Sequence, residues 1–248
     1  NNKDLAGMQR ISEIVGMALR SMRQYARPGM STRELDEYGA SILQQHGARS
    51  APLISYGFPA ATCISVNHEV CHGIPSGNVF LVEGDLVNVD VSAELNGYFS
   101  DNGQSFVLGK DIHNHNKLVD FSRRILHMAI NRIKGGVRIA DIGRYIETEA
   151  RKEGFKTIRN IVGHGIGRSL HEEPFEIPCF YDRFNNGRFK KNSVVAIETF
   201  ISTGASQVID KGDGWTLVTK DGSFVAQHEH TIMVTDNKPV ILTKANQV

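Results

Sequence analysis

The chain has little cysteine and no excess of either charge, and both shortages narrow what it can be. Cys63, Cys71 and Cys179 are three in number and lack paired CxxC spacing. That argues against a disulfide framework or a thiolate zinc site, and for a reducing, cytoplasmic setting. Lys and Arg total 28 against 27 for Asp and Glu, so no basic field points to nucleic acid or a membrane surface. No apolar run approaches the length of a membrane span. The N-terminal segment carries Arg10, Glu13 and Arg20, charges that a signal peptide would not place there. No linker or low-complexity tract divides the chain. What remains is 248 residues of ordinary globular composition, enough for one large domain with a substantial core.

What is present is periodic. Ile11, Ile14, Val15, Ala18, Leu19 and Met22 recur at helical spacing. A weak repeat follows at long period. An offset of 107 superposes Gly29 on Gly136, Leu35 on Ile142, Tyr38 on Tyr145 and Gly47 on Gly154. Glycine at the last of these fits the residue just past a helix end. An offset of 108 brings the apolar run ending in Asp90 onto the run ending in Glu198, and His-Gly-Ile occurs at both His72 and His164. Each half thus reads helix, turn, helix, then strands carrying two carboxylates. This predicts a single α+β domain over 1–248, built of two related halves (about 5–125 and 126–240), with a site on the pseudo-twofold axis. The irregular stretch from Pro174 to Asn192 is expected to border that site as a loop.

The candidate site rests on Asp90, Asp101, His164, Glu198 and Glu229. Each lies in or beside a strand-like apolar run, where a lone charge needs a partner. Val87, Val89 and Val91 alternate with Asn88, Asp90 and Ser92, the period of a strand with one polar face. Asn96-Gly97 then signals a two-residue type I′ hairpin. That turn sets Leu95 against Tyr98, Ser92 against Asp101 and Asp90 against Gly103, leaving both aspartates diagonal on one face. Taken singly, the aspartates read as strand-end residues, His164 as a turn histidine, and Glu198 and Glu229 as halves of buried ion pairs. The shared face and the repeat favour a common site instead. Four carboxylates and one imidazole balance two divalent ions, and with no thiolate they suit Mn, Fe, Co or Zn better than copper. Such an ion pair activates water near neutral pH, which makes the site that of a two-metal hydrolase. The glycines flanking His164 are expected to expose its ring to a cavity. His72, His171, His228 and His230 are within reach, the last two on the opposite strand face and therefore read as packing.

These residues carry a resemblance. Cys63 to Pro75 (CISVNHEVCHGIP), Asn88 to Val91 (NVDV), Gly163 to Pro174 (GHGIGRSLHEEP) and Gln227 to Ile232 (QHEHTI) are together similar to the type I methionine aminopeptidases. The likeness runs from the first helix to Thr235. It implies the "pita-bread" fold, a pseudo-twofold α+β domain whose curved antiparallel sheet is covered by helices. It also implies roles. Asp101 and Glu229 bridge two divalent ions, Asp90 holds one of them, and His164 with Glu198 holds the other. Glu198 doubles as general base, and His72 and His171 face the substrate. The methionine pocket includes Phe58, Cys63, Leu170 and Trp215. The implied substrates are nascent polypeptide N-termini at the ribosome, with a small second residue. A cytoplasmic monomer that binds neither nucleic acid nor membrane by itself completes the expectation. The 30 residues between Glu198 and Glu229 leave no room for the type II insertion. Two residues depart from the family pattern: Thr199 where proline is common and Asn102 where threonine is common. Both are expected to alter the pocket rim, the contacts supporting the ligands, or the metal preference. The rival readings are a proline-specific peptidase on the same fold and a non-catalytic peptide-binding relative.

Overall fold

Two runs of elements, each a helix pair followed by strands, build the molecule, and a computed structural model describes residues 2–248 of it. The first run is α1 (Asn2–Tyr25), α2 (Thr32–Gln45), β1 (Arg49–Ser50), α3 (Ala51–Tyr56), β2 (Cys63–Val66), β3 (Glu69–Cys71), β4 (Leu86–Leu95) and β5 (Tyr98–Val107). The second is α4 (Asn116–Ile130), α5 (Ile139–Lys152), β6 (Lys156–Thr157), β7 (Gly163–Gly165), β8 (Glu172–Ile177), β9 (Val194–Ser202), β10 (Val208–Asp210), β11 (Leu217–Thr219), β12 (Val225–Met233) and β13 (Val240–Ile241). A 3-10 turn, Lys244–Asn246, follows.

The apolar stripe predicted for the first helix is real. Its six residues are at most 1% exposed, and each of them larger than Ala18 contributes roughly 1.5–3 kcal/mol on burial. α2 starts at a reciprocal cap, in which Ser31 Oγ accepts from Glu34 N and the Glu34 carboxylate accepts from Ser31 N. The repeat reappears as geometry. Gly29 and Gly136 hold φ of +87° and +89°, and Gly47 and Gly154, just past α2 and α5, hold +70° and +82°. Gly29 N donates to Leu81 O as Gly136 N donates to Phe189 O, and the return bonds from Leu81 N and Phe189 N match as well.

The main sheet is antiparallel, in the order β1-β4-β5-β12-β9-β7-β8, with β2 beside β4, β6 beside β9 and β13 beside β12. Each half therefore contributes two long strands, β4 and β5 or β9 and β12, flanked by shorter ones, and β5 meets β12 at the centre. α1 packs on β4 and β5, whereas α4 packs on β9 and β12. The division expected at 125/126 runs through α4, which by its packing goes with the second half. β10, β11 and β3 form a small second sheet. Among the described residues, no helix is long and apolar enough to cross a membrane.

Candidate metal centre

The turn chemistry of Asn96-Gly97 places the first carboxylates. Both residues take positive φ, +54° and +79°, and the observed register sets Leu95 on Tyr98, Ser92 on Asp101 and Asp90 on Gly103. The hairpin reading holds residue for residue. β12 brings Glu229 against Gly103 on one side and against Glu198 of β9 on the other. One rung of the sheet thus reads Cys63, Asp90, Gly103, Glu229, Glu198 across five strands. Partners on a rung of an antiparallel sheet share a face, so three carboxylates point into the same space. Asp101 joins them from the next rung of the hairpin.

Gly103 is the gap that makes the rung work. A Cβ there would lie 2.4 Å from Gln227 Oε1. The Gln227 carboxamide occupies that space instead. Its Nε2 donates to Glu229 Oε2 at 3.0 Å and to Glu198 Oε2 at 3.2 Å, while its Oε1 accepts from Asn88 Nδ2 at 2.8 Å. One neutral side chain therefore fixes both glutamates.

His164 arrives from β7, which pairs with β9 at Ala196. Its Nδ1 is 2.9 Å from Gly165 O, and a carbonyl can only accept, so Nδ1 carries the proton. Nε2 then offers its lone pair toward Asp101 Oδ2, 3.8 Å away. Burial and the nearby His171 lower its pKa to about 4, which keeps the ring neutral at pH 7. The flanking glycines have a different cause from the one expected. A Cβ at Gly163 would sit 2.5 Å from Ala196 O, and one at Gly165 would sit 2.3 Å from Glu173 O. The neighbouring strands β9 and β8 require them, rather than an opening for the ring.

The electrostatics ask for a cation. Burial raises the Asp90 pKa to about 6. Burial and then the Asp90 charge raise that of Glu198 to about 8. Asp101 and Glu229 are pushed well up by burial and by the other carboxylates. Asp101 Oδ1 and Glu229 Oε1 are buried without a hydrogen-bond partner. Among the described residues, no Lys or Arg is a leading influence on the charge of any of the four. Ligand atoms of Asp101, His164 and Glu229 lie within 4.8 Å of one another, with Asp90 and Glu198 flanking them on the rung. Orphaned, mutually repelling carboxylate oxygens beside a neutral imidazole fit a divalent metal.

The centre forms the floor of a cavity of about 200 Å³. All of Phe58, Cys63, Leu170, Trp215, His72 and His171 line it. Phe58 meets Trp215 edge to face at 5.2 Å between ring centroids. His72 sits in the left-handed region at φ +55°, uncommon for a non-glycine residue. It presents ring surface at the mouth, yet protein crowds it enough to lower its pKa. The His171 ring centroid lies 4.1 Å from that of His164, and its Nδ1 meets Tyr56 Oη.

Sequence reasoning missed Pro52, Tyr56, Cys71, Ser92, Ile161, Val162 and Phe200 in the lining. Period two would have found Ser92 and Phe200, each two residues beyond a ligand on the same strand face. The stretch 174–192 was expected at the site and supplies no lining residue. Its first part is β8, and the rest runs past α5 to β9. His228 and His230 are packed on the helix side, as expected, bonded to Ser122 Oγ and Thr243 Oγ1.

The two departures also lie on that side. Asn102 Nδ2 donates to Val15 O and Val91 O, and its Oδ1 accepts from Asn246. Thr199 Oγ1 bonds the hydroxyl and carbonyl of Ser122. Neither side chain lines the cavity. The expected effect on the pocket rim is therefore corrected: strand alternation turns both away from it.

A buried carboxylate–imidazole centre on a two-halved antiparallel sheet is the mark of one class of peptidase, and the chain belongs to metallopeptidase family M24, whose model matches residues 6–236. Methionine aminopeptidases are among its similar relatives. The chain is 49% identical to methionine aminopeptidase 2 of Bacillus subtilis over 98% of both chains. It is 41% identical to the methionine aminopeptidase of Staphylococcus epidermidis over 98% of this chain and 97% of that one. The crystal structure of methionine aminopeptidase from Thermotoga maritima matches with a TM-score of 0.93 at 36% identity, over 98% of this chain and 97% of that chain. The pita-bread fold is thus the fold of this chain.

Proposed function

We propose that the chain removes the N-terminal methionine from nascent proteins and peptides by divalent-metal-dependent hydrolysis. One observation carries this reading. Four carboxylates and one imidazole, two of their oxygens unpartnered, converge beneath an apolar cavity of about 200 Å³.

Asp90, Asp101, His164, Glu198 and Glu229 would hold two divalent ions of Mn, Fe, Co or Zn, with Asp101 and Glu229 the ligands common to both. When bound, the metal supplies a Lewis acid and activates water near neutral pH. The chain's own groups do the rest. Glu198, whose proton the charge of a bound metal would displace, would take a proton from the attacking water. His72 and His171, both neutral at pH 7 because burial lowers their pKa, donate to or accept from the scissile amide. Phe58, Cys63, Leu170 and Trp215 hold the methionine side chain, for which an aromatic ring and a thiol are soft, polarizable walls. A small second residue, a nascent substrate met at the ribosome and a cytoplasmic monomer complete the proposal. So does a single catalytic domain of two related halves, their boundary moved to the loop before α4.

The test uses metal-stripped protein incubated with Met-Ala-Ser and with Ala-Pro-Ala, adding Mn, Fe, Co or Zn in turn. Metal-dependent release of methionine from the first peptide alone is expected. Cleavage of the proline peptide alone would transfer the substrate to a proline-specific activity. No cleavage with any metal would leave a peptide-binding module.

A further inference from the structure

The C-terminal segment 240–246 reaches the two bridging carboxylates from behind. β13 pairs with the end of β12, Ile241 against Ile232 and Val240 against Met233. Leu242 N then donates to Thr231 O, and Thr231 N donates to Thr243 Oγ1 at 3.2 Å. Thr243 Oγ1 also meets His230 Nδ1 at 2.8 Å. One hydroxyl thus grips the two residues that follow Glu229.

From Thr231 the contact continues to the other strand. The paired residues of β5 and β12 are His228 with Gln104 and Glu229 with Gly103. Beyond them a side chain takes over the ladder. Thr231 Oγ1 accepts from Asp101 N at 3.1 Å and donates to Asp101 O at 2.7 Å. Asn246 closes the arrangement one residue along, with Nδ2 donating to Asn102 Oδ1 at 3.0 Å. Thr231, Thr243, Asn246 and Asn102 are all fully buried. α1 makes room for the segment through Gly16, where a Cβ would lie 3.0 Å from Asn246 N and 3.1 Å from Thr243 O.

We infer that segment 240–246 is a strap whose Thr243 and Asn246 set the spacing of Asp101 and Glu229, and are positioning residues for the metal centre. The inference rests on those two carboxylates being metal ligands. Around Asp101 the strands are joined through the Thr231 hydroxyl, and Thr243 holds the backbone that carries it. Hydrogen bonds made directly to ligand side chains change metal affinity by about 10–100-fold when removed, and bonds one step further out should act at the lower end of that range. A strap serving stability alone would leave affinity and coordination unchanged once the protein is folded.

The experiment is Co²⁺ titration of the metal-stripped full chain, followed by calorimetry and by the visible absorption of the bound ion. Thr243→Val should weaken Co²⁺ binding by about tenfold and alter the absorption bands, and Thr243→Ser, which restores the hydroxyl, should recover both. Asn246→Ala, a milder change, should shift them in the same direction. Unchanged affinity and spectrum in the folded Val and Ala variants overturn the inference, whatever happens to their melting temperatures. If Thr243→Val fails to fold, Asn246→Ala and the Ser variant decide it by the same two readouts. A wild-type chain that binds no Co²⁺ overturns the metal reading itself, and the inference with it.

Discussion

Asp90 and Asp101 stand on strands joined by two residues, whereas Glu198 and Glu229 stand on strands separated by 30 residues of chain. The aspartates are diagonal, fixed by an Asn-Gly turn, and their short side chains leave little to orient. The glutamates face each other directly across β9 and β12 and have one more rotatable bond each. The second half therefore needs something the first does not, and Gln227 supplies it by donating to both glutamates. Where turn geometry specifies an angle, no buried amide has to orient the carboxylate groups themselves. Where a long connection specifies nothing, a buried amide does the orienting, and Gly103 in the aspartate hairpin gives it space. The halves share a plan, yet the second leans on a gap in the first.

The sharpest way to break the comparison is to remove one of the two carboxylates proposed above as common to both ions. Asp101→Asn or Glu229→Gln should lower both metal affinity and kcat/KM on Met-Ala-Ser by at least about a thousandfold, more than the 10–100-fold typical of a lost supporting hydrogen bond. On the proposed assignment, in which each residue serves both ions, the loss should be equal from either half. Wild-type turnover with two ions bound to Asp101→Asn would sink the assignment.

Gly103→Ala comes next, because it tests the dependence of one half on the other. The new methyl would displace the Gln227 carboxamide from the glutamates while leaving all five ligands in place. Metal affinity should fall by about 10–100-fold, with a stability loss of roughly 1–3 kcal/mol from overpacking. Calorimetric metal titration reads the first, and thermal unfolding the second. Unaltered affinity would mean that the glutamates orient themselves.

The two outer carboxylates differ in proton affinity, and pH exposes it. Asp90 is raised to about 6 and Glu198 to about 8. Both lie above the unfolded values, so the fold binds more protons than the unfolded chain between roughly pH 4 and 8. Stability of the metal-free protein must fall as pH rises through that window. The melting temperature should drop by several degrees between pH 5 and 8 without metal, and stay nearly flat with saturating Mn²⁺, whose charge replaces the proton. A pH-independent metal-free melting temperature would remove the repulsion argument.

How much of this was legible in the sequence follows the same division. The aspartate hairpin could be read residue by residue, because Asn96-Gly97 dictates a register and the register dictates the face. The Glu198–Glu229 pairing was legible only through the repeat and the resemblance, since 30 intervening residues carry no local rule. Gln227 stood inside a quoted motif, but its task depends on an absent side chain at Gly103, on another strand. The stretch 174–192 misled because its composition reports irregular backbone without reporting where that backbone goes. The helical stripe of α1 read cleanly because its period is local. Its companion, the strap that fills the space at Gly16, arises from residues more than two hundred positions away.

The smallest predicted effect concerns the layer behind the sheet, where each half buries a polar side chain against its own helix. Asn102 is held under α1 by two backbone carbonyls and Asn246. Thr199 is held under α4 by Ser122 alone at normal hydrogen-bond length, through its hydroxyl at 3.1 Å. Thr199→Val keeps the shape and removes one partner of that bond. The Ser122 hydroxyl still donates to Ala226 O at 3.0 Å and lies 3.0 Å from His228 Nδ1, so little is left unsatisfied. The cost should be about 1 kcal/mol, read as a shift of a few degrees in melting temperature. Because strand alternation turns residue 199 away from the cavity, kcat/KM and metal affinity should match wild type. A change in metal preference in this variant would mean that the helix side of the sheet reaches the ligands through β9 as well as through the strap.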